Sequence, residues 1–128
     1  MVERKESQGL SEFDGIVESI TLEDGLENKQ FHLIIEPTSL KVSGKTGKLH
    51  EWIPMSGTSS DDAIAKGSVI DFYLRQLEIV LPAAKKASTV TQALGLMKGK
   101  KFHFQKMELG RAFAGHPAKQ YAVPVKQL

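Results

Sequence analysis

The feature that most constrains how this chain folds is a change of hydrophobic period along it. Apolar and polar residues alternate in three early segments, apolar residues recur at helical spacing between Ser68 and Gly99, and alternation returns in two late segments. A period of two buries one face of a strand and a period near 3.6 buries one stripe of a helix, so the order predicts three strands, a helical insertion and two more strands. Connections are short everywhere except around the helices, which makes antiparallel pairing the expected arrangement.

The first strand is expected over residues 13–22, with Ile16, Ile20 and Leu22 on one side, Phe13 and Val17 on the other, and Gly15 as the place for a bend or bulge. After a turn through Glu23, Asp24, Gly25 and Asn28, residues 30–36 put Phe31, Leu33 and Ile35 on one face and His32, Ile34 and Glu36 on the other. Past a turn bracketed by Gly44 and Gly47, the third strand, residues 48–55, turns Leu49, Ile53 and Met55 inward and Lys48, His50 and Trp52 outward. Ser68 can cap a helix carrying Ile70, Tyr73, Leu74, Leu77 and Leu81, which Pro82 stops. Thr89 and Gln92 have capping-box spacing for a shorter second helix, weakened by Gly95 and closed by Gly99. In residues 101–109 Phe102 and Phe104 alternate with Lys101, His103 and Gln105, which assigns the two phenylalanines to the core. In the last strand, residues 119–126, Tyr121, Val123 and Val125 share a face, and Pro124 requires an edge or a bulge.

Three strands, helices and two strands is the element order of the OB-fold, so the fold class expected is mainly β: a five-stranded OB-type barrel with a helical insertion between strands 3 and 4. The chain resembles the small OB-fold single-stranded DNA-binding proteins of archaea and phages, relatives in architecture of bacterial SSB and the replication protein A subunits. The resemblance is carried by residues 13–20 (FDGIVESI), 99–104 (GKKFHF) and 121–125 (YAVPV), and it departs at the C-terminus, where Val125, Lys126, Gln127 and Leu128 replace the acidic tail of bacterial SSB. It implies a ligand groove across the barrel, walled in part by the loop before the last strand.

With 128 residues the chain is expected to form one domain, residues 13–128, behind a flexible polar segment, residues 1–12. No cysteine is present, which removes disulfides, thiolate nucleophiles and cysteine-ligated zinc together. A polar N-terminus and the lack of a long apolar run lead to an expected place in the cytoplasm, away from membranes. Residues 1–84 hold 8 Lys/Arg against 14 Asp/Glu, while residues 85–128 hold 9 against 1. That split either builds an electropositive surface for a polyanion or solubilises helix ends and strand edges.

Catalytic chemistry finds little support. His32, His50, His103 and His116 are scattered, with no HExxH pair and no two at metal-ligand spacing, so neither a metal nor a cofactor is expected. His50 and Glu51, adjacent on a strand, point to opposite faces, and the glycines of residues 44–48 lack the spacing of a phosphate loop. A non-enzymatic binder of single-stranded DNA or RNA fits better, since such proteins need aromatic planes for bases and cations for phosphates. The residues expected to bind are Trp52, His50, His32 and Lys48 on strands 2 and 3, Lys101, His103 and Lys106 on strand 4, and Arg111, Phe113 and Lys119 in the loop that follows. The alternative use of the same exposed aromatics is to dock the chain, as an OB-type subunit, onto a protein assembly. A small enzyme with a cryptic metal site ranks behind both.

Overall fold

The computed structural model describes residues 12–24, 29–38, 47–55, 64, 66–109 and 120–128. Five strands, β1 (Glu12–Asp24), β2 (Lys29–Pro37), β3 (Leu49–Pro54), β4 (Lys101–Glu108) and β5 (Gln120–Gln127), form one sheet in the order β3-β2-β1-β4-β5. Every neighbouring pair is antiparallel. Between β3 and β4 come α1 (Val69–Val80), a 3₁₀ turn (Pro82–Lys86) and α2 (Val90–Gly95). Of the first expected turn, Glu23 and Asp24 belong instead to β1, and Gly25 and Asn28 lie outside the described residues, as does Gly44 of the second.

In β1 the sequence reading needs correction. Phe13, Gly15 and Val17 face the core, and a bulge between Val17 and Ser19 reverses the phase, so that Ile20 and Leu22 come round to the same side, opposite Leu33 and Phe31. One extra residue in a strand has this effect because side chains alternate with a period of two. Phe13, Val17, Ile20 and Leu22 therefore serve one face, while Ile16, opposite Glu36 and Lys101, stays on the other. Gly15 is not the bulge; it is where packing is tightest, since a Cβ there would stand 2.6 Å from Ile35 Cγ2 and 3.1 Å from the Glu36 carbonyl oxygen.

Phe31, Leu33, Ile35, Ile53, Phe102 and Phe104 are fully buried on the inner face, as alternation predicts, and the Phe13 and Phe104 rings stack at 5.3 Å. The helices close one side of this core with Ile70, Tyr73, Leu77, Val90, Ala93 and Leu94, joined by Met97 from the turn after α2. Ser68 Oγ accepts the Asp71 amide at 3.2 Å, and Thr89 Oγ1 accepts the Gln92 amide at 3.1 Å, so both expected caps form. Helix α2 ends earlier than expected, at Gly95 with Leu96 as its C-cap, so Gly99 does not cap it; Gly99 takes φ +78 in the turn that follows, and its amide donates to the Val17 carbonyl at 2.7 Å, seating the entry to β4 on the β1 bulge.

Helix α1 also clamps the edge strand β5. Tyr73 Oη donates to the Ala122 carbonyl at 3.0 Å and Gln76 Nε2 to the Pro124 carbonyl at 3.3 Å. Tyr121, Ala122, Val123 and Pro124 are all buried; the register sets Ala122 and Pro124, opposite Lys106 and Phe104, on the inner face, with Tyr121 and Val123 on the other. Pro124 sits on an edge strand, next to a register shift between His103 and Phe104, as a residue without an amide hydrogen requires.

β3 and β5, the two outer strands, approach one another through Glu51. This residue, only 6% exposed, points inward from β3; its carboxylate accepts the Ala122 amide of β5 at 3.2 Å and the Lys106 ammonium of β4 at 3.3 Å. Burial first, and then the Glu51 charge, push the Tyr73 and Tyr121 phenols above the usual tyrosine range and hold them neutral.

Candidate functional site

On the outer face of β2 and β3 the register sets His32 opposite Trp52 and Ile34 opposite His50. His32 and His50 are thus diagonal neighbours, close enough for their rings to meet. His32 Nε2 lies 2.7 Å from His50 Nδ1, with ring centroids 5.0 Å apart. A nitrogen contact that short at that centroid separation means the rings sit side by side, joined through their edges, and not face to face. The Trp52 indole lies nearly parallel to both, at 4.7 Å and 13° from His32 and at 5.7 Å and 20° from His50. One plane of indole covers a second plane made of two imidazoles. Trp52 remains 39% exposed, so the indole is not core.

Glu23, on β1, fixes the hydrogens of this group. Its Oε2 is 3.0 Å from His32 Nδ1, so the Nδ1–H of His32 donates to the carboxylate. A neutral His32 then offers a bare Nε2, which accepts the Nδ1–H of His50 and leaves His50 Nε2 as an outward acceptor.

The remaining residues expected at the site are distributed differently. Lys48, two residues before His50, is bound to Glu18 at 2.7 Å, and this hydrogen bond and charge hold its ammonium above the ordinary lysine value. His103 does face outward on β4, but β1 separates it from the platform. Its Nδ1 is 2.6 Å from Asp14 and its Nε2 3.1 Å from Glu12, and the two carboxylates, Asp14 foremost, raise its pKa above the usual imidazole value. Lys101 is exposed on β4, opposite Ile16 of β1. Lys106 has the inward phase of Phe102 and Phe104, and its charge is spent on Glu51. Arg111, Phe113 and Lys119 lie outside the described residues.

The structure therefore joins His32, His50 and Trp52, adds Lys48 at their margin, and separates Lys101, His103 and Lys106 from them. Glu23, the second partner of His32, escapes sequence reasoning because a carboxylate next to a turn looks like ordinary solvated charge. Among the described residues no three His, Asp or Glu converge as a metal cage, and no helix is long and apolar enough to cross a membrane.

No family model, curated protein or solved structure matches this chain. Its function has to be argued from the geometry above.

Proposed function

We propose that the chain binds single-stranded nucleic acid, DNA in preference to RNA, on the outer face of β2 and β3. The observation that carries this reading is the exposed Trp52 indole, held flat by the imidazole pair beneath it. Bases stack on such planes whatever their sequence, for about 1–3 kcal/mol each. An indole already backed by two rings loses little side-chain freedom when a base arrives.

The sheet order supports an OB-type barrel as the scaffold. With β1 central, β3 and β5 are the strands that a barrel brings together, and Glu51 spans them by taking the Ala122 amide that a ladder partner would otherwise take. In an OB barrel the face of strands 2 and 3 is where oligonucleotides lie, and that is the face carrying Trp52. Phosphate contacts would come from Lys48, Lys101 and the basic C-terminal third of the chain.

The carboxylates of Glu18 and Glu23 on the same face favour the second reading, in which the platform docks a cationic protein surface. Fluorescence anisotropy of labelled poly-dT and poly-U against the whole chain, over a salt series, separates the two. The nucleic-acid reading expects saturable binding at low salt that weakens as salt rises, with a log–log slope of about −0.7 per phosphate contacted. No anisotropy change with either polymer at micromolar protein would refute it and leave the protein-docking reading.

A further inference from the structure

We infer that His32 and His50 form a two-imidazole binding site for a divalent transition metal, with Glu23 as the group that orients it. This site stands independently of nucleic-acid binding. Its basis is the convergence of two ring nitrogens, His32 Nε2 and His50 Nδ1, at 2.7 Å on an exposed sheet face.

One hydrogen lies between these two nitrogens. In the neutral pair it belongs to His50 Nδ1; moving it to His50 Nε2, a tautomer change with no proton gained or lost, turns both facing nitrogens into lone-pair donors. Nitrogens bound at about 2.0–2.1 Å to one ion, at tetrahedral or square-planar angles, stand about 2.9–3.4 Å apart. The pair therefore has to open by a few tenths of an ångström and tilt its rings toward a common point. His50 is exposed, so the contacts that such a tilt must adjust are those with His32 and Trp52.

The far side of His32 is built as metal-bound histidines commonly are. Its Nδ1–H donates to the Glu23 carboxylate at 3.0 Å, which fixes the tautomer that presents Nε2 and holds the ring in place. Imidazole donors select copper(II), nickel(II) or zinc and discriminate against magnesium and calcium, which prefer oxygen. Two protein ligands leave the remaining positions to water or an external donor. Sequence spacing could not reveal the site, because the two histidines are 18 residues apart and meet only through the β2–β3 register.

The test uses the one tryptophan of the chain, which lies on both rings and so reports metal bound there. Untagged full-length protein is titrated with copper(II) chloride while Trp52 emission is followed, and zinc chloride is added as a competitor. The site predicts saturable one-to-one quenching, relieved by zinc. His32→Ala and His50→Ala should each weaken it at least tenfold, and Glu23→Gln about tenfold through loss of the orienting carboxylate. His103→Ala should leave it unchanged, which separates this site from general binding to imidazoles. His50→Gln repeats the test in a second side chain, with far-ultraviolet circular dichroism showing that each variant is folded. Quenching that does not saturate below millimolar copper, or that persists unaltered in the folded His50 variants, would overturn the assignment. Failure of poly-dT to bind would leave it standing.

Discussion

At the scale of single residues, exposure and crowding decide what a substitution does. Trp52→Ala removes an indole that is 39% exposed and lies on imidazoles, so single-strand affinity should fall by about 1–3 kcal/mol while the melting temperature hardly changes. A large loss of stability at unchanged affinity would show the ring to be a packing element. Gly15→Ala should do the reverse. Its Cβ would press on the Ile35 methyl at 2.6 Å in a filled core, costing about 1–3 kcal/mol of folding free energy by urea denaturation and leaving the outer face alone. His103 gives a pH signature. Its folded-state pKa is raised by Asp14 and Glu12, so its contribution to stability is complete below the unfolded value of 6.5 and is lost as pH rises through the higher folded value. Urea midpoints measured across that window should decline more steeply for the wild type than for His103→Gln; parallel profiles would mean the contacts to Asp14 and Glu12 are not held in solution.

The elements meet where the sequence was least informative, at the seam between β3 and β5. Glu51 satisfies a backbone amide on one strand and a lysine on another, so Glu51→Ala strands both partners. The loss expected is about 2–3 kcal/mol, toward the lower end for a buried pair because Lys106 keeps 30% of its side chain in water. Lys106→Met leaves the more buried Glu51 carboxylate without its countercharge, so it should cost at least as much by urea denaturation. Adding Glu51→Gln should recover part of that loss by removing the charge while keeping an acceptor for the Ala122 amide. No recovery in the double variant would contradict a seam held mainly by the amide contact. Alternation made Phe102, Phe104 and the inward row of β2 legible, and hydroxyls placed before helical stripes disclosed the caps at Ser68 and Thr89. The β1 bulge was not legible, because one extra residue leaves no mark in composition and shows only as two apolar sets that seem to oppose one another. Glu51 escaped for a related reason: an acidic residue in an inward position is recognisable only once the amide and lysine that meet it are known.

For the whole molecule, the order of elements was written in the hydrophobic period, but the site was not, because it depends on register. His32, His50, Trp52 and Glu23 come from three strands and share no local motif. Of the basic last third, the described Lys101 and Lys106 on β4 and Lys126 on β5 are separated by β1 from the platform, whose neighbours Glu18 and Glu23 are acidic. A strand bound across both would stack first on Trp52 and meet its cations further along, so its salt dependence should report few phosphates and its affinity should lean on the indole. The most direct measurement is the emission of Trp52 during titration with a dT oligomer at low salt, read alongside the anisotropy of the labelled oligomer. The account predicts saturable quenching that follows the anisotropy curve; binding with Trp52 emission unchanged, or no binding at all, would contradict it.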